Sequence, residues 1–150
     1  MKILVPVDGS AHSLKAVEIA ADFAKSKQAD IYLISVALSI GGMEDHEITP
    51  HRRERHDEIL QGRADEAIKT ADEVLRKQQV GAKISQTVST TASVPDAIID
   101  FAEAEKIDLI VLGSRGQSAS SRFRLGSIAN QVVKYSPCSV YLVKIAAVQG

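Results

Sequence analysis

Short, nearly continuous apolar runs alternate along this chain with segments whose apolar residues recur at helical spacing. Four of the runs, KILVPV, DIYLISVAL, IDLIVLG and SVYLVKI, are typical of strands that are buried on both faces. A fifth segment, AKISQTVST, alternates apolar and polar residues, which predicts a half-exposed strand of the edge type. The element order is therefore βαβαβαβαβ. Right-handed crossovers between parallel strands then predict a doubly wound α/β fold, with helices on both faces of one five-stranded sheet.

Capping and breaking residues delimit the predicted helices. Ser10 is placed to cap the first helix, and Pro95 opens a short helix in VPDAIIDFAEAEK. The residues from 39 to about 55 are polar and predict a long loop. A long helix follows, and Gly62 in its first turns should weaken it there.

Composition and charge narrow the classes of function. The chain has 150 residues, which fits a single domain over residues 1–150, and a net charge of −1, which argues against a general nucleic-acid binder. Its N-terminal apolar run is too short for a signal peptide, and no later run is long enough to cross a bilayer. One cysteine, Cys138, fits a reducing compartment. We therefore expect a cytoplasmic protein without a membrane or nucleic-acid partner.

The segment GSRGQSASSRFRLGS, residues 113–127, follows the fourth strand and leads into the last helix. Open parallel sheets bind ligands at the carboxyl ends of their strands, where the winding direction reverses. The first strand ends in PVDGS, so Asp8 faces this segment if the first and fourth strands are neighbours. The pattern predicts a ligand site between the two strand ends.

The residue types in this segment favour an anionic ligand. Gly113 and Gly116 can adopt a positive φ and let the backbone approach a ligand closely. Gly126 and Ser127 stand at the start of a helix, whose unpaired N–H groups suit phosphate, and Arg115 adds positive potential. The spacing differs from the Walker motif, which requires Gly-Lys-Ser/Thr. The alternative is a solvent loop whose serines bond only to local backbone.

The pattern of Gly113, two residues, Gly116, nine residues, Gly126 and Ser127 resembles the ATP-binding motif of the universal stress protein family. The segments ILVPVDGS, IDLIVLGSRG, LGSIANQVV and PCSVYLVK resemble the family's first strand, fourth strand, last helix and closing strand. The resemblance therefore covers nearly the whole chain. It implies the strand order 3-2-1-4-5 and a stress-response regulatory protein that binds ATP or a related nucleotide (AMP, ADP or cyclic AMP).

The resemblance also implies a role for each residue of the site. Asp8 matches the acidic residue that contacts the nucleoside, Pro6 and Val7 line the base pocket, and Val36 matches the position whose backbone recognises adenine. The phosphate and ribose cradle corresponds to Gly113, Gly116, Gly126, Ser127 and Ile128. In the family a divalent cation, which we take to be Mg²⁺, often accompanies the phosphates. No dedicated protein site for a metal is visible in the sequence.

The resemblance further implies a homodimer joined through the last strand. SVYLVKI is apolar and would lie at the sheet edge, where unpaired N–H and C=O groups invite pairing. Antiparallel addition of two such edges would bury Val140 and Leu142.

Several of these residues also have an interpretation that involves no ligand, metal ion or reactive group. Asp8 favours a turn in VDGS through local hydrogen bonds. His46, His51 and His56 do not share a helical face at i and i+4, so we interpret them as part of a polar loop rather than as a metal site. Cys138 is expected to be a small core residue rather than a reactive thiol.

Two other functions stay open. An ATPase or phosphotransferase needs a positioned base or water-orienting residue and usually a metal clamp, and no candidate base beyond Asp8 is visible, so we expect slow hydrolysis at most. A nucleotide-independent interaction protein is the other possibility, which the intact glycine motif disfavours. A receiver domain is set aside because ISQTVSTTAS offers no aspartate at the end of the third strand.

Overall fold

A computed structural model describes residues 1–39, 50–115 and 125–145 of the chain. Its strands are β1 (Lys2–Pro6), β2 (Asp30–Leu38), β3 (Ala82–Thr90), β4 (Leu109–Gly113) and β5 (Ser139–Val143). The helices within these ranges are α1 (Ala11–Lys27), α2 (Pro50–Lys77), α3 (Val94–Ala104) and α4 (Ser127–Tyr135). All strand pairs are parallel, and the order β3-β2-β1-β4-β5 confirms the predicted sheet.

Helices cover both faces of the sheet, and each face has its own apolar cluster. Successive residues of a strand point to opposite faces, so β1 contributes Ile3 and Val5 to one cluster and Leu4 to the other. The first cluster contains buried residues of α1 and α2, such as Val17 and Ala71. The second contains buried residues of α3 and α4, including Ile98, Ala102, Ala129 and Val132. β1, β2 and β4 are therefore buried on both sides, as their apolar runs predict, whereas β5 is partly exposed although its run predicts burial on both faces.

The winding direction of the sheet reverses between β1 and β4. From β1 the chain moves to β2 and β3 on one side, then crosses to β4 and β5 on the other. β1 and β4 are hydrogen-bonded neighbours, with Ile3 opposite Leu109 and Leu4 opposite Ile110. Their carboxyl ends, near Pro6 and Gly113, therefore lie side by side.

The helix starts follow their capping residues. Ser10 is the N-cap of α1, and its hydroxyl accepts a hydrogen bond of 3.3 Å from the Ser13 amide, which confirms the predicted cap. Ser93 caps α3 in the same way, and Pro95 lies in its first turn. The caps fix where the chain leaves each loop and enters each helix.

The long helix α2 differs from the sequence prediction at its start. It begins at Pro50, so the predicted loop to about residue 55 is too long at its carboxyl end. Proline suits the first turn of a helix because it lacks the N–H group that would have no partner there. Gly62 consequently lies in the helix interior rather than in the first turns, and the space around it is open. No helix in the described ranges is long and apolar enough to span a bilayer.

Strand β3 lies at the sheet edge, as its alternating pattern predicts. Its polar side chains form a ladder of hydrogen bonds to α2. The hydroxyl of Thr87 donates to the Asp65 carboxylate at 2.6 Å, and that of Ser85 donates to Asp72 at 2.8 Å. This contact with a helix explains why polar residues alternate with apolar ones in this strand.

Candidate functional site

A cavity of about 470 Å³ opens at the carboxyl ends of β1 and β4, where the sheet reverses direction. We call it the switch-point cavity. Its volume lies in the range of small-molecule sites. Residues of β1, β2, β4, α1, α2, α3 and α4 and of their connections line it: Pro6, Val7, Asp8, Ser13, Val36, Leu60, Val94, Ile98, Leu112, Gly113, Ser114, Arg115, Gly126, Ser127, Ile128 and Ala129.

Every predicted site residue within the described ranges lines this cavity: Pro6, Val7, Asp8, Val36, Gly113, Arg115, Gly126, Ser127 and Ile128. Gly116 lies outside those ranges. Sequence reasoning missed Leu60 of α2 and Val94 of α3, because their apolar character marks them only as core residues. It also missed Ser114, although that residue stands within the glycine-rich segment.

The N-terminus of α4 forms one wall of the cavity. Gly126 is the N-cap and has no side chain to accept from the first-turn amides, which lack acceptors within the helix. Its own amide donates to the Ser114 carbonyl at 2.8 Å, so the start of α4 is joined to the end of β4. The exposed amides and the positive end of the helix dipole make this wall favourable for an anion.

Ser114 contributes a polar group deep in the same wall. The residue is only 2% exposed, and its backbone N–H donates to the Val143 carbonyl of β5 at 2.8 Å. Its hydroxyl has no hydrogen-bond partner within the described part of the chain. The hydroxyl is therefore available to donate to, or accept from, a ligand in the cavity.

Asp8 makes the local hydrogen bond expected of an aspartate in a turn, and it also lines the switch-point cavity. Its Oδ1 accepts a hydrogen bond of 2.9 Å from the Ser10 amide, as expected of a turn aspartate. Its own amide donates to the Ser13 hydroxyl at 3.3 Å. The exposed carboxylate also borders the cavity opposite the α4 wall. One carboxylate therefore stabilises the turn and faces the site.

Gly113 is glycine for a reason that differs from the predicted one. Gly113 does not use the positive φ that glycine allows: it is the last residue of β4, and in the described ranges only Gly9 is a glycine with positive φ, at 83°. A Cβ on Gly113 would lie 2.9 Å from the carbonyl carbon and the Cβ of His12 and 3.0 Å from the Ser13 nitrogen. Its missing side chain lets the first turn of α1 approach β4.

Comparison with known proteins agrees with this arrangement. The model of the universal stress protein family matches residues 1–144. The chain belongs to the universal stress protein family. It is 34% identical to a universal stress protein of Methanocaldococcus jannaschii over 146 residues. This alignment covers 95% of this chain and 81% of the relative.

Solved structures of other family members share the fold. UspA from Lactobacillus plantarum matches with a TM-score of 0.79 and 27% identity over 96% of this chain and 97% of that chain. The universal stress protein from Archaeoglobus fulgidus in complex with dAMP matches with a TM-score of 0.69 and 26% identity over 96% and 98% of the two chains. The predicted resemblance to the family is thus confirmed over nearly the whole chain.

None of the described histidines, and not Cys138, is among the residues that line the switch-point cavity. His51 and His56 are on α2, so their predicted loop placement is wrong, and His46 lies outside the described ranges. Within those ranges, no group of three or more His, Cys, Asp or Glu side chains is arranged to hold a metal ion. Cys138 packs against the α3 and α4 cluster, as expected of a small core residue.

Proposed function

We propose that this protein is a regulatory module that binds an adenine nucleotide, with ATP as the expected ligand, in the switch-point cavity. The observation that carries this proposal is the convergence of three groups on one cavity: the α4 amides, the buried Ser114 hydroxyl and the Asp8 carboxylate. The complex of the Archaeoglobus fulgidus family member with dAMP supports the ligand class.

The polarity of the cavity orients the proposed ligand. Its polar end contains the start of α4, Ser114 and Arg115, where phosphate would accept hydrogen bonds from N–H and O–H groups. Its other end is formed by Val36, Leu60 and Val94, which provide apolar surface for the base. Asp8 lies next to this end and would accept from a ribose hydroxyl. The phosphates therefore point towards α4 and the base towards β2.

Mg²⁺ is expected to enter with the phosphates rather than to occupy a protein site. Asp8 is the one carboxylate among the described residues that line the switch-point cavity. Mg²⁺ commonly keeps several waters and binds through one or two carboxylates plus phosphate oxygens. A single carboxylate therefore fits a metal carried by the nucleotide.

Regulation would act through the edge of the sheet, where we propose that two copies join through β5. Ser114 provides a short connection, because its carbonyl accepts from Gly126 and its amide donates to Val143 of β5. Val140 and Leu142 are half-buried against the α3 and α4 cluster, while Tyr141 is 42% exposed at the edge. A ligand bound at the start of α4 would thus be connected to the strand through which the copies pair, in the cytoplasmic dimer that we expect.

The test uses a matched pair of substitutions at Gly126. Its φ of −66° and ψ of 159° are accessible to any residue, and Asn and Asp are both favourable at an N-cap. Gly126→Asp places a negative charge where phosphate would bind, whereas Gly126→Asn adds an amide of similar size. At ATP concentrations of about 100 times the Kd, binding should add about 2.7 kcal/mol to the stability, a rise of roughly 5–10 °C in Tm.

We expect ATP to raise the Tm of the wild-type protein and of Gly126→Asn, but not that of Gly126→Asp. All three unliganded proteins should be folded, because the substitutions suit an N-cap. The proposal fails if millimolar ATP leaves the wild-type Tm unchanged, or if Gly126→Asp responds to ATP as the wild type does.

A further inference from the structure

A second cavity, of about 720 Å³, lies on the opposite face of the sheet, between the carboxyl end of β2 and α2. We call it the α2 cavity. Ser35 and Ala37 of β2 form its floor, and Ala64, Ala67 and Thr70 of α2 form the facing wall, with the exposed Arg63 and Glu66 at the rim. The nucleotide proposed above leaves this cavity unused.

The two cavities meet at the apolar end of the switch-point cavity. Asp8, Val36, Leu60 and Val94 line both of them. The described α4 residues line only the switch-point cavity. A ligand that places its phosphates at α4 therefore has its opposite end, the base, directed at the α2 cavity.

The α2 cavity combines an apolar surface with polar groups that lack partners. Ser35 is only 3% exposed, and its hydroxyl has no hydrogen-bond partner within the residues that the structure describes. Arg63 is exposed and forms no ion pair with any described side chain. Alanine side chains from α2 and β2 leave space between these two groups. The cavity thus suits an apolar group that ends in a hydrogen-bonding function, with Arg63 as the one cationic side chain and Asp8 and Glu66 as the carboxylates among its described lining residues.

We propose that the α2 cavity is a subsite for a substituent on the base, so that this protein accepts adenine nucleotides that are enlarged at the exocyclic amine. This inference rests on the proposed function, because the nucleotide must first occupy the switch-point cavity. The substituent passes between Val36 and Leu60 and lies against the alanines of α2. A carboxylate at its end would reach the guanidinium of Arg63.

The test compares ATP with N6-benzyl-ATP by isothermal titration calorimetry on the full chain. We expect N6-benzyl-ATP to bind at least as tightly as ATP, because the benzyl group gains apolar contacts in the α2 cavity. If ATP binds and N6-benzyl-ATP binds about tenfold more weakly or worse, the subsite is refuted while the proposed function stands. If neither nucleotide binds, both proposals are refuted.

A filled cavity provides the matched control. Ala64→Leu, which adds volume to the α2 wall, should weaken N6-benzyl-ATP by about tenfold and leave ATP within about twofold, because only the substituent meets the new side chain. Equal losses for the two nucleotides, or no loss for either, would refute the subsite.

A second ligand and a second variant keep the inference testable if Ala64→Leu does not fold. N6-carboxymethyl-ATP should bind more tightly than ATP to the wild-type protein, since its carboxylate reaches Arg63. Arg63→Gln changes an exposed side chain without an ion pair to any described residue and should remove this preference while ATP affinity is kept. The same preference in both proteins would count against the proposed contact.

Discussion

Replacing Gly113 with alanine tests whether this glycine is present for packing or for the ligand. The added Cβ would meet backbone atoms of His12 and Ser13 and the His12 Cβ at 2.9–3.0 Å. None of these atoms is the far end of a flexible side chain, so relief requires β4 and α1 to separate by about 0.5 Å. We expect the unliganded protein to lose stability.

The size of the loss follows from two opposing effects. Overpacking a close contact costs about 1–3 kcal/mol, whereas the change from glycine to alanine stabilises by about 0.4–1 kcal/mol through the unfolded chain. The net loss is about 1–2 kcal/mol, which for a chain of this length lowers the Tm by roughly 2–8 °C. If Gly113 served only to admit a ligand, Gly113→Ala would instead stabilise the unliganded protein.

Urea unfolding monitored by circular dichroism measures this difference, provided that the slope of the transition is unchanged. Gly62→Ala and Gly81→Ala are controls, because a Cβ at either residue meets nothing within 4 Å. Gly62→Ala, in the interior of α2, should stabilise by about 0.5–1 kcal/mol. A Gly113→Ala protein as stable as these controls would refute the packing explanation.

Three further predictions concern the affinity for ATP, its hydrolysis and the sheet edge. Asp8→Asn keeps an acceptor for the Ser10 amide but removes the charge, so the variant should fold normally. Its affinity for ATP, measured by calorimetry, should fall by about ten- to a hundredfold, because a hydrogen bond to a charged group is lost. An unchanged affinity would show that Asp8 does not contact the ligand. Phosphate release by the wild-type protein should be slow at most, and rapid release that disappears in Asp8→Ala would instead support an enzyme. Tyr141→Glu places like charges near the proposed pairing of two β5 edges, so sedimentation velocity should show a monomer instead of a dimer. Tyr135→Glu is the control: this residue of α4 is 66% exposed, and its substitution should leave the dimer intact. A wild-type monomer at micromolar concentration would contradict the proposed pairing.

The fold was predictable because its three central strands are buried on both faces. Runs such as ILVPV and LIVLG leave little alternative to a parallel sheet covered by helices, and the Ser10 cap and the edge position of β3 follow from local patterns. The start of α2 was not predictable in this way. Its first turns are rich in charged residues that resemble a loop in composition, and Pro50 was taken as a loop residue although it suits a first helical turn.

The candidate site was predictable where the residues adjoin strand ends. Asp8 follows β1 and Gly113 ends the neighbouring strand β4, so topology alone brings them together. Leu60 and Val94 could not be placed, since they reach the cavity through the packing of α2 and α3, which local sequence does not specify. The close packing of Gly113 against α1 was not predictable, because α1 is distant from it in sequence.

A crystal structure of the protein with ATP tests the central claim most directly. The account predicts phosphate oxygens within hydrogen-bond distance of the first-turn amides of α4, and the base between Val36 and Val94. Full occupancy of ATP at a different surface, or a switch-point cavity without nucleotide in crystals grown at saturating ATP, would contradict it.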